Sequence, residues 1–151
     1  MDDPPILICY DGSDDSARGI KTAATLLGPR RAVVLDIAPP ITPRESLGAA
    51  SSVVPGNAFE ELNTSEATQV AGQGAEIARS SGFDAEARSE LAAPTWDGIV
   101  EVANELETPV IVIGSRGLSG LKEALDGSLS HQLAQHAGRP VLIVPPPHDR
   151  R

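Results

Sequence analysis

Hydrophobic residues along this chain fall into short solid runs, separated by longer stretches in which they recur every three or four positions. "PILICY" (Pro5–Tyr10) stays apolar until it meets "DGS" and reads as a buried strand. Ser13 can then cap a helix running to Leu27, with Ala17, Ile20, Ala24 and Leu27 on one face. Gly28 and Pro29 end that helix, and "AVVLDI" (Ala32–Ile37) is a second strand. Residues 39–57, "PPITPRESLGAASSVVPGN", keep no period and are punctuated by proline and serine, which predicts a long mobile connection. Helical spacing returns from Ala58 to Ser81, weakened in the middle by Gly72 and Gly74. "FDAEARSELA" alternates, with Phe83, Ala85 and Ala87 on one side and Asp84, Glu86 and Arg88 on the other, as a half-exposed strand does. "TWDGIVEVANELE" reads as a helix, "PVIVIG" as a buried strand, "SLSHQLAQHAG" as a last helix and "RPVLIVPPP" as a last strand.

Strands that alternate with helices call for parallel pairing and a layered α/β domain with helices on both faces of the sheet. The first and fourth strands are apolar throughout and belong in the centre, whereas the charged alternation of the third belongs at an edge. The order 3-2-1-4-5 meets both conditions. It makes the gap between strands one and four the point where the winding reverses, which is where ligands settle in open α/β sheets. Asp11-Gly12-Ser13 and Gly114-Ser115-Arg116-Gly117 follow the ends of those two strands, so they are expected to face each other.

Composition narrows the class. The 151 residues are enough for one domain with one core, and 1–151 is read as a single unit with a tail at 146–151. Aromatics are 3% of the chain, so the core must be aliphatic. A net charge of −9 argues against non-specific contact with nucleic acid or an anionic membrane, both of which need a basic face. Cys9 is the single cysteine and lies inside an apolar run, which predicts a buried structural thiol and fits a reducing compartment. "MDDPP" has no basic start, and no run reaches the roughly 18 apolar residues of a spanning helix; the expectation is a cytoplasmic protein.

"GSRGLSGLKEALDGS" (Gly114–Ser128) carries the chemistry. Gly114 and Gly117 can bring backbone N–H groups close to an anion, and Gly127-Ser128 stands where the next helix begins, with its unpaired first amides. Two readings stay open on the glycines alone: a phosphate cradle, or a strand end followed by a helix cap. The segment lacks GxxxxGK[ST], since Lys122 lies between Leu121 and Glu123, and it lacks GxGxxG.

The spacing G-x-x-G, nine residues, then G-S resembles the nucleotide-binding signature of the universal stress protein family, in its ATP-binding branch. "ILICYDGSDDS", "VIVIGSRGLSGLKEALDGSLSHQL" and "AGRPVLIVPP" carry the likeness over nearly the whole chain, most weakly across residues 39–82. The resemblance implies a Rossmann-like, adenine-nucleotide-hydrolase-like fold and a site for ATP or another adenine nucleotide with Mg2+. It implies that Asp11 reaches the ribose and adenine region, with Ser13 in the same turn, and that Asp11 can share a divalent ion through the phosphates. It places the backbone of Ile37 at the adenine edge, and Gly114, Gly117, Gly127 and Ser128 on the phosphates. Ser115, Arg116, Leu129 and Ser130 line the same loop. Asp126 departs from the pattern, standing where relatives usually have an apolar residue; a carboxylate there repels a polyphosphate by roughly a kcal/mol when shielded from water, unless Arg116, Lys122 or a metal ion offsets it.

Other candidates are weaker. His131 and His136 are five apart, turned about 140° from each other on a helix, and do not share a metal well. "DGSDD" lacks the spacing of a calcium loop, and Ser13 is not in a G-x-S-x-G elbow. Trp96 is read as packing. The last strand is apolar yet falls at an edge, so two copies are expected to join there, across Pro140–Pro145, as the resemblance also implies. The reading is an adenine-nucleotide-binding stress-response or regulatory protein without efficient catalysis. Its rival is a protein-interaction module with an empty or vestigial pocket.

Overall fold

The computed structural model describes residues 3–38, 58–114 and 129–147, with side chains from residue 68 onward in the second stretch. Five strands and four helices alternate along it: β1 (Ile6–Cys9), α1 (Asp14–Leu27), β2 (Arg31–Ala38), α2 (Ala58–Ser80), β3 (Asp84–Leu91), α3 (Thr95–Leu106), β4 (Ile111–Gly114), α4 (Leu129–His136) and β5 (Val141–Val144). The sheet has the order β3-β2-β1-β4-β5, and every pairing is parallel. This is the order expected from the strand compositions. The expected mobile connection at 39–57 lies outside the described residues.

Successive residues of a strand point to opposite faces, so each apolar strand feeds two cores at once. Ile6, Ile8, Tyr10, Val34 and Val112 pack with Ile20 and Ala23 of α1 and with Ala75 and Ala78 of α2. Leu7, Cys9, Leu35, Ile111 and Ile113 pack with Ile99, Val102 and Ala103 of α3 and Leu133 of α4. Helices therefore cover both faces. None of the helices among the described residues is long and apolar enough to cross a membrane.

The helix ends follow local chemistry where the sequence supplies it. Ser13 is the N-cap of α1, accepting from the Ser16 N–H at 3.1 Å, and Gly28 closes the helix at φ 72°. Ser16 and Gly19 also lie on the buried stripe of α1, a serine and a glycine that an apolar periodicity does not single out. α3 has no basic residue in its last turn and ends on Glu107 at φ 52°. Its cation comes from elsewhere in the chain: the Arg139 guanidinium donates to the carbonyls of Ala103 and Thr108. On the exposed side of β3, Arg88 bridges Glu90 and Glu105 of α3, which keeps the Glu105 carboxyl below its usual value through its hydrogen bond to Arg88.

Cys9 is buried, as expected of a structural thiol, and its pKa is pushed up to about 12, first by burial and then by the carboxylates of Asp36 and Asp11. The native thiol stays protonated while the unfolded one ionises above its ordinary 9.0, so the unfolded chain binds fewer protons in that window. Stability from this residue is therefore intact below about pH 9 and falls as pH rises toward about 12, at up to about 1.4 kcal/mol per pH unit. Denaturation curves above and below pH 9 should show a smaller alkaline loss in Cys9→Ala than in the wild type. A thiol reagent at neutral pH should label Cys9 only after unfolding.

Candidate functional site

The turn after β1 is built by three short polar side chains. Gly12 sits at φ 87°, a conformation that favours glycine, and turns the chain so that residue 13 folds back over residue 11. The Ser13 N–H donates to Asp11 Oδ1 at 2.9 Å, forming an Asx-type turn. The Ser16 hydroxyl lies 2.8 Å from the same oxygen, and Ser16 is only 4% exposed. Asp11 thus does cap the "DGS" turn, and that job is compatible with a second one at the surface, since the residue is half-buried.

Across the sheet, β1 and β4 pair with Leu7 opposite Ile111 and Ile8 opposite Val112. Counting on in that register sets Gly114, the last residue of β4, level with Tyr10, one residue before Asp11. The approach is close. A Cβ on Gly114 would stand 3.1 Å from the Asp15 carbonyl oxygen, and one on Gly19 would stand 3.8 Å from the Gly114 nitrogen. The first turn of α1 lies against the end of β4 at Gly114, where a Cβ would crowd the Asp15 carbonyl, whereas Gly19 leaves room for one. The two sequences expected to face each other thus leave the sheet from neighbouring strands, Asp11 one residue past Tyr10 and Gly114 at the end of β4, while Ser115, Arg116 and Gly117 lie outside the described residues.

The remaining predicted residues divide into two groups. Ile37 is buried at the end of β2, its side chain turned toward α3 and beside Gly98. Leu129 and Ser130 open α4, with Leu129 packed against the α3 core. Ser115, Arg116, Gly117, Gly127 and Ser128 lie outside the described residues, as do Asp126 and Lys122. Trp96 stacks on His136, ring centroids 4.4 Å apart and 20° from parallel, which is a packing role for both. Among the described residues no group of three His, Cys, Asp or Glu is placed to hold a metal ion.

Ser16 was missed by the sequence reading. Its signal is its position, four residues before Ile20 on the buried stripe, where a hydroxyl must find a partner.

The N-termini of the helices that follow β1 and β4 differ in charge. α1 carries Asp14 and Asp15 in its first turn, with Asp15 paired to Arg18, whereas α4 has no acidic residue in its first turn. The partial positive charge at the start of α4 is therefore not offset by a carboxylate of its own first turn.

A family model described as the universal stress protein family matches residues 4–145. The chain belongs to the universal stress protein family. It is 33% identical over 149 residues to universal stress protein YxiE of Bacillus subtilis (strain 168), covering 92% of this chain and 97% of that protein. Among solved structures, this universal stress domain resembles the hypothetical protein MJ0577 with a TM-score of 0.74 at 22% identity, over 96% of this chain and 97% of that one. It also resembles a universal stress protein in complex with cAMP, with a TM-score of 0.65 at 23% identity, over 93% and 95%. At such identities the structural likeness establishes the shared universal stress protein fold.

Proposed function

We propose that this universal stress protein binds an adenine nucleotide, ATP with Mg2+ as the first choice, at the carboxyl ends of β1 and β4, and works as a stress-response or regulatory module in the cytoplasm. The observation that supports the reading is the register of β1 and β4, which sets Gly114 level with Tyr10 and so starts the Asp11 turn and the glycine segment from neighbouring strands at the point where the sheet reverses. One side offers a carboxylate, which suits sugar hydroxyls or a phosphate-bound cation. The other leads into the glycine segment and the uncharged start of α4, which suit phosphate. A relative of the same fold solved in complex with cAMP supports an adenine nucleotide as the ligand class.

Phosphate held by main-chain amides explains why the protein can be acidic, at −9, and still take an anionic ligand. Bound Mg2+ would neutralise the polyphosphate beside Asp11. The reading has no role for a general base, and turnover is expected to be slow at most; phosphate release measured under excess ATP tests that.

Calorimetry with ATP and Mg2+ is the direct test. Saturable heat with a thermal shift is expected, and neither at millimolar nucleotide would favour an interaction module instead. Asp11→Ala should weaken ATP binding by about tenfold or more, the scale of losing hydrogen bonds to a charged acceptor. A rise in ATP affinity in that variant would overturn the assignment of Asp11 to the sugar side.

We further propose that two copies pair through β5. Ile143 is 40% exposed on this edge strand, in a run whose other members are half-buried or buried. An apolar edge with open backbone groups is a template for a second strand. Native mass spectrometry should report a dimer, and Ile143→Lys, which puts a charge on that edge, should shift it to monomer without unfolding the domain.

A further inference from the structure

We propose that Ser16 is a positioning residue for nucleotide recognition, acting through Asp11; this rests on the reading of the site just given. Its hydroxyl is not needed to start the helix, because the Ser13 oxygen already caps α1 by accepting the Ser16 N–H at 3.1 Å. Ser16 is nevertheless buried to 4% exposure, and its Oγ stands 2.8 Å from Asp11 Oδ1. The Ser13 N–H reaches the same oxygen at 2.9 Å, and the Asp11 N–H points back to Ser16 Oγ at 3.4 Å. The Ser13 carbonyl also lies 2.9 Å from Ser16 Oγ, but a carboxylate is the stronger acceptor for its single proton.

The consequence is geometric. Turning the carboxylate about its Cβ–Cγ bond carries Oδ1 away from its donors, so two donors reaching that oxygen from different directions, the Ser13 N–H and the Ser16 hydroxyl, restrain its plane more than one does, and with it the direction in which the second oxygen points. A fixed acceptor selects ligands whose hydroxyls lie where it points, whereas a rotating one accepts many poses weakly. Ser16 therefore sets how well Asp11 tells a sugar with hydroxyls from one without them, although Ser16 itself touches no ligand.

The test compares ATP with 2′,3′-dideoxy-ATP by calorimetry, both with Mg2+. The wild type should prefer ATP by about tenfold or more, the scale of discrimination expected when a site built for hydroxyls meets an analogue lacking them. Ser16→Ala should bind the dideoxy nucleotide within about twofold of wild type while its preference falls below about threefold. Ser16→Thr keeps the hydroxyl and should restore the preference. In an Asp11→Asn background, Ser16→Ala should change the preference no further, because both variants remove the same oriented acceptor.

If the alanine variant does not fold, Ser16→Cys, with a much weaker donor of similar size, must lose the preference too. Equal weakening of both nucleotides, or an unchanged preference, would show that Ser16 serves the fold only and would overturn the proposal. A wild type that binds both nucleotides equally would overturn it while leaving nucleotide binding intact. A wild type that binds neither would remove the functional reading itself.

Discussion

Gly74→Ala is expected to destabilise the protein by about 2 kcal/mol, whereas Gly72→Ala, two positions away in the same helix, is expected to stabilise it by about 0.5–1 kcal/mol. The helix would treat the two alike, since alanine is favoured over glycine at any interior position. Packing separates them. A Cβ at position 74 would stand 2.6 Å from Tyr10 Cδ1, 2.7 Å from Tyr10 Cγ and 2.7 Å from Val34 Cγ1. Those atoms belong to the sheet face beneath α2 and sit near the root of a buried ring, so they cannot swing aside as the end of a long side chain would. At position 72 a Cβ meets nothing within 4 Å. Thermal melts of the two single variants should move in opposite directions, Gly74→Ala down by about 4–8 °C and Gly72→Ala up by about 1–4 °C. A rise for Gly74→Ala would mean that α2 can lift from the sheet at no cost.

Arg139→Ala is expected to cost about 2–3 kcal/mol, although Arg139 is only half-buried and its acceptors are backbone carbonyls and a side-chain amide. The guanidinium sits at the end of α3, where the last carbonyls of a helix carry partial negative charge, and it adds a second donor to Ala103 O, which already accepts from the Thr108 N–H at 3.0 Å. It donates to Ala103 O, to Thr108 O at 3.1 Å and to Asn104 Oδ1, and its Nε donates to Ala137 O at 3.1 Å. One planar group thus ties the end of α3, the approach to β4 and the turn before β5. Arg139→Lys should recover less than half of the loss, because an ammonium cannot present donors along several directions of one plane. Urea denaturation of the two variants beside wild type measures both effects. Full rescue by lysine would show that the charge at the helix end matters and the fork does not.

Much of the site was legible because its parts are local. "DGS" announces a turn that needs a glycine at positive φ, and φ 87° at Gly12 is what such a turn adopts. The apolar run before it and the one ending at Gly114 announce central strands, and placing both in the centre brings their ends together. Ser13 as a cap is visible from its position before a helical stripe. Ser16 was harder, because a serine in the first turn of a helix is usually solvated and only its place in line with Ile20 marks it as buried. Trp96 and His136 are forty residues apart in the chain, and nothing in either helix alone says that their rings will stack.

By itself the sequence determined the order of elements, the sheet order, the aliphatic core on two faces and the placing of the ends of β1 and β4 on neighbouring strands. All of these follow from period and polarity, which each stretch of chain carries in its own residues. Tertiary structure alone decided which of two glycines in α2 must stay a glycine, where the Arg139 guanidinium finds its acceptors, and that the Ser16 hydroxyl closes on Asp11. Those outcomes depend on which surfaces come into contact and at what distance. A single element does not contain that information, because the neighbour that sets the distance belongs to another part of the chain.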